Sequence, residues 1–91
     1  MTKQEILDAI ARKLSILPVH VSTGSTEPKD FLARVADRLG FSEETTGLSK
    51  PELASFIAVS LGQEWDSTCF SEGSTVTKIG LQRILDGLEG F

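Results

Sequence analysis

Residues 2–14, TKQEILDAIARKL, return at residues 49–61 as SKPELASFIAVSL. At this offset of 47, five of the thirteen positions are identical: Lys3 and Lys50, Glu5 and Glu52, Ile10 and Ile57, Ala11 and Ala58, Leu14 and Leu61. A second match follows at an offset of 49, residues 22–39 against residues 71–88, and nine of its eighteen positions agree. They include the shared Ser-x-Gly-Ser-Thr, then Lys29 with Lys78, Leu32 with Leu81, Arg34 with Arg83 and Asp37 with Asp86. A repeat of this length is read before any fold is assigned, because each unit then carries the same kind of apolar face to bury. The chain is two tandem units, 2–39 and 49–88, joined by a linker at 40–48.

Each unit opens with a helix-start signal, Thr2-Lys3-Gln4-Glu5 and Ser49-Lys50-Pro51-Glu52. Both are capping boxes, in which the hydroxyl and the glutamate satisfy amides that a helix start leaves without partners. Pro51 in the first turn agrees with that reading. Apolar residues then recur at helical spacing: Ile6, Ile10 and Leu14 in the first unit, Leu53, Ile57 and Leu61 in the second. Gly62 is placed to close the third helix in a left-handed conformation, and Gly40 to end the second. The second and fourth helices carry Leu32, Val35, Ala36 and Leu39, and Leu81, Ile84, Leu85 and Leu88. In the intervening loops Val19-His20-Val21 and Thr75-Val76-Thr77 are β-prone, so a short pairing between the units is a further expectation.

Two equivalent helix pairs in one chain pack naturally about an approximate two-fold axis, as a homodimer does. The expected fold is therefore mainly α: a compact four-helix domain of two helix-loop-helix repeats with pseudo-two-fold symmetry and short β segments in the loops. Where the units differ in size, Ala9 against Phe56, Phe31 against Gly80 and Ala36 against Leu85, the large residue of one is expected to fill space left by the other.

Ninety-one residues make a single domain, 1–91, with 40% apolar and 24% charged residues, ordinary values for a globular chain. No apolar run approaches the roughly 20 residues of a membrane span, and the amino end enters an amphipathic pattern without an apolar signal core. A cytoplasmic protein without membrane contact is expected. The single Cys69 and single His20 provide neither an internal disulfide nor a zinc ligand set. No nucleophile, catalytic base, metal ligand or cofactor site can be assigned, so a non-enzymatic role is expected.

The repeated Gly-Ser-Thr-x-x-Lys is the strongest candidate site. It is expected at a helix amino end, where free amides and the helix dipole favour an anion. Ser25, Thr26 and Lys29 in one unit and Ser74, Thr75 and Lys78 in the other would then present two phosphate cradles to double-stranded DNA, with Arg34 and Arg83 adding phosphate or base-edge contacts. The same residues admit a plainer reading as caps, turns and solvated charges, and Arg34 with Asp37 or Arg83 with Asp86 as surface ion pairs. Net charge is −4, split −1 over residues 1–49 and −3 over residues 50–91, which weighs against generic nucleic-acid binding. Trp65 either closes over the core or anchors a partner.

The strings Ser-Thr-Gly-Ser-Thr-Glu-Pro-Lys at 22–29, Leu-Ser-Lys-Pro-Glu-Leu-Ala at 48–54 and Gly-Ser-Thr-Val-Thr-x-x-Gly-Leu at 73–81 resemble the amino-terminal accessory domain of some bacterial restriction endonucleases. The resemblance implies a helical, winged-helix-like DNA-recognition module joined to a nuclease domain that these 91 residues do not contain. The alternative is a protein-protein interaction or oligomerisation module. DNA binding requires the lysines on a face free of carboxylates, whereas an adaptor requires an exposed apolar patch.

Overall fold

The computed structural model describes residues 2–19, 29–71 and 75–90, with backbone alone for Ser71 and Thr75. Four helices form: α1 (Lys3–Leu14), α2 (Lys29–Arg38), α3 (Lys50–Ser60) and α4 (Lys78–Glu89). Two strands of two residues, β1 (Phe70–Ser71) and β2 (Thr75–Val76), pair antiparallel just before α4. The radius of gyration is 11.6 Å, close to the ~12 Å of a compact domain of this length.

The capping signals act as read. The Thr2 hydroxyl accepts from the Glu5 amide at 3.2 Å, and the Thr2 amide donates to Glu5 Oε1 at 2.8 Å. At α3 the Ser49 amide donates to Glu52 Oε1 at 3.1 Å. Helices α1, α2 and α3 end in the same way. After each, one residue turns left-handed, and two amides reach back to the last turn: Ser15 and Ile16 to the carbonyls of Arg12 and Ala11, Gly40 and Phe41 to Asp37 and Ala36, Gly62 and Gln63 to Val59 and Ala58. Gly40 and Gly62 take φ of +87° and +84°, as their positions led one to expect; Ser15 takes 56° with a side chain in place.

The buried residues form one cluster to which every helix contributes. Ile6 and Ile10 from α1, Phe31 and Val35 from α2, Leu53 and Ile57 from α3, and Leu81 and Ile84 from α4 are all within 2% of full burial. Helix α1 packs mainly on α4, and α2 on α3, while α3 and α4 also lie together. Contact between α1 and α2 is slighter. Side chains explain the difference. Gly87 of α4 lies where an added Cβ would stand 2.6 Å from Leu61 Cβ, so the two helices approach closely. At the matching place between α1 and α2 stands Arg38, whose Nε donates to the Leu14 carbonyl at 2.9 Å. An arginine spans the gap that a glycine closes.

Two expectations need correction. The strand Thr75–Val76 forms, but it pairs with Phe70–Ser71 of its own unit, because closing a short local loop costs less chain entropy than bridging the two units. His20 and Val21 lie outside the described residues. The space over Gly80 is likewise filled locally. An added Cβ there would stand 2.4 Å from the Cys69 carbonyl oxygen and 3.0 Å from Trp65 Cη2 and Val76 Cγ1. Phe31 is fully buried, but the complement of Gly80 is Trp65.

Candidate functional site

Lys29 and Lys78 are the first residues of α2 and α4, both exposed. Ser25, Thr26 and Ser74 lie outside the described residues. In the second unit the helix start is not where the Gly-Ser-Thr pattern put it: Thr75 belongs to β2, and the cap is Thr77. The Thr77 hydroxyl accepts from the Gly80 amide at 3.3 Å and donates to the Thr68 carbonyl at 2.6 Å. Thr-Val alternation extends the backbone into the hairpin, which delays the helix until the next hydroxyl. One helix amide that a phosphate would use therefore already has a partner.

The charge of each lysine also reaches a carboxylate. Hydrogen bonds from the Thr2 amide and hydroxyl hold the Glu5 carboxyl below its usual range, and the charge of Lys78 adds to the effect. Bonds from the Ser49 hydroxyl and amide do the same for Glu52, with a contribution from Lys29. Both glutamates stay ionised at neutral pH. The charge of each lysine thus acts on the capping glutamate of the other half of the chain.

The two arginines diverge. The Arg83 guanidinium lies 3.6 Å from Asp66 Oδ2 and 3.5 Å from the Glu64 carbonyl, fastening the loop after α3 to α4. Arg34 stands over the Phe31 ring, 6.0 Å from its centre, and its buried Nε has no hydrogen-bond partner. Neither arginine pairs with the aspartate three residues on; Asp86 instead accepts from Gln82 Nε2 at 2.8 Å. Spacing brings side chains within reach of each other, but better-placed partners win: Asp66 and the Glu64 carbonyl for Arg83, Gln82 for Asp86. Among the described residues no group of three His, Cys, Asp or Glu side chains could hold a metal, and no helix is long and apolar enough to cross a membrane.

An apolar groove lies elsewhere, along the outer face of α3. Pro51, Ser55, Phe56 and Val59 form its floor, with Trp65 and Phe70 along one side. The groove encloses about 650 Å³. Val59 is 57% and Phe70 41% exposed, and Phe56 is held edge-on by Phe41 at 5.5 Å between ring centres. The Trp65 ring packs over Gly80, as the core-closing reading expected, and the residue also lines the groove. No family model, curated protein or solved structure matches the chain.

This groove was missed in reading the repeat, although a signal for it was present. Leu53, Ala54, Ile57 and Ala58 make the buried stripe of α3, and Phe56 and Val59 fall off that stripe. A large apolar residue outside the core-facing stripe of a short helix marks a second contact face.

Proposed function

We propose that the domain is a non-catalytic recognition module of a larger cytoplasmic bacterial protein, built from two tandem repeats about an approximate two-fold axis, and that it docks another protein segment through the outer face of α3. The observation that carries the docking reading is the exposed groove of Phe56, Val59, Trp65 and Phe70. Apolar side chains left in water in a contiguous patch mark surfaces that are covered in use. The paired arrangement is supported by matching features in the two units: the capping boxes of α1 and α3, the α1–α4 and α2–α3 packings, and the crossed Glu5–Lys78 and Glu52–Lys29 neighbours.

The test is selection from a displayed random-peptide library on the intact domain, repeated with Val59→Arg. Enrichment of a common peptide pattern by the wild type and not by the variant is the expected result. Absence of any enriched pattern, together with a monomer in sedimentation, would sink the docking reading.

A second reading, recognition of double-stranded DNA beside a covalently linked nuclease domain, is favoured by a different observation. Lys13 and Arg38 line one shallow depression where α1 and α2 end, with Arg12 exposed next to it. On this reading, a randomised duplex binds saturably at low salt. Replacing Lys29 and Lys78 with Ala then lowers the salt slope by about two if each meets one phosphate, and replacing Lys13 and Arg38 tests the other cluster in the same way.

A further inference from the structure

The α3 groove is built by one continuous stretch of chain that lies within an acidic segment. Every residue lining it falls between Leu48 and Phe70. Residues 40–77 carry one lysine, Lys50, against six acidic residues: Glu43, Glu44, Glu52, Glu64, Asp66 and Glu72. That is a net −5, while the remainder of the chain carries eight Lys or Arg against seven Asp or Glu, a net +1. Among the described residues Glu52 lines the groove directly, and no cation does. Glu43 and Glu44 are exposed in the turn between Phe41, which holds Phe56, and Leu48, which lines the groove; Glu64 is exposed beside Trp65. Three cations stand close by. Arg83 is taken by Asp66, the charge of Lys29 acts on Glu52, and Lys50 begins α3. Their sum leaves the rim acidic.

The matching face of the first unit is different in kind. On α1, Asp8, Ala9 and Arg12 stand where α3 has Ser55, Phe56 and Val59, and the depression there has a mixed lining of Asp8, Ala11, Arg12, Ser15, Ile16 and Pro18. The aligned positions thus carry a charged pair, Asp8 and Arg12, on α1 and the apolar Phe56 and Val59 on α3. Core packing does not require the change, since Val59 is mostly in water.

From these observations we infer that the α3 groove receives a basic amphipathic helix, apolar on one side and flanked by Lys or Arg. This rests on the docking reading and names its partner class. The floor consists of two i, i+4 ridges, Pro51-Ser55-Val59 and Glu52-Phe56-Ser60, the ridge spacing with which a second helix interdigitates. From Pro51 to Ser60 the floor runs about 14 Å, enough for two to three turns of partner helix. Apolar anchors at i, i+3 or i+4 and i+7 fill such a groove, and the acidic rim selects cations beside them.

The experiment reads the character of the peptides selected on the full 91-residue chain and then titrates one labelled peptide by anisotropy. The expected consensus has apolar residues at helical spacing between Lys or Arg. Its affinity falls about tenfold or more with Val59→Arg, and falls again, with a flatter salt dependence, when Glu43, Glu44 and Glu64 are changed to Lys. All four positions are exposed, and circular dichroism confirms that the variants fold. A Val59-dependent consensus that is acidic, uncharged or of alternating period would overturn the basic helix and leave docking intact. A dimer of the domain abolished by Val59→Arg would do likewise, with a second copy as occupant. No enriched peptide and no dimer would remove both.

Discussion

Ser15 occupies a position that glycine holds at the ends of α2 and α3. Its φ of 56° sets a Cβ against the following carbonyl, whereas Gly40 and Gly62 adopt the same turn without one. Ser15→Gly is expected to stabilise the domain by about 1 kcal/mol in urea unfolding, while Gly62→Ala loses a similar amount. Gly80 gives the opposite case: a methyl there meets the Cys69 carbonyl and the Trp65 ring, and Gly80→Ala should cost roughly 2 kcal/mol through displaced backbone and ring. The first of these constraints was legible in the sequence, because Ser15 aligns with Gly62. The second was not. Gly80 aligns with Phe31, and nothing in the string says that a loop carbonyl and an indole would occupy the place of the missing side chain.

Helix starts were readable because a cap is a local device, set by residues three apart. The caps of α1 and α3 also make stability depend on pH. Glu5 and Glu52 are held below their ordinary value of 4.5 in the folded chain, and Asp66 below 3.8 by its bonds to Thr68. With folded values depressed, their contribution is complete above the ordinary carboxylate range and declines as pH falls through it to the lower folded values. Urea midpoints should be flat near neutrality and drop in acid, and Glu5→Gln with Glu52→Gln should shrink that drop. The start of α4 was misjudged because Thr75 and Thr77 are both suitable caps, and the choice between them depends on the hairpin with Phe70–Ser71. The off-stripe Phe56 and Val59 make a further prediction for α3. Val59→Arg should leave stability within about 0.5 kcal/mol of the parent, since the side chain already stands in solvent.

At the scale of the molecule, the first half of the chain encloses no core of its own. Helix α1 leans on α4 and α2 on α3, so the first unit alone would expose most of its apolar stripes. A fragment of residues 1–48 should lack helical circular dichroism and cooperative melting, and mixing it with residues 49–91 should restore both. A first fragment that melts cooperatively alone would contradict the shared interior. The four helices could be read from the repeat because both halves give the same apolar pattern, and agreement between two copies is a stronger signal than either. The candidate site could not be read in the same way. Duplication draws attention to what the halves share, Lys29 with Lys78 and Arg34 with Arg83, whereas the groove lies where they differ.

Trp65 gives the domain a built-in optical probe. It is the chain's single tryptophan, one edge of its ring set over Gly80 and another bordering the open groove. Unfolding exposes the indole and shifts its emission to the red, whereas a ligand seated against it withdraws water and shifts the emission to the blue. Spectral shifts of opposite sign would thus separate loss of structure from occupancy in the unlabelled protein.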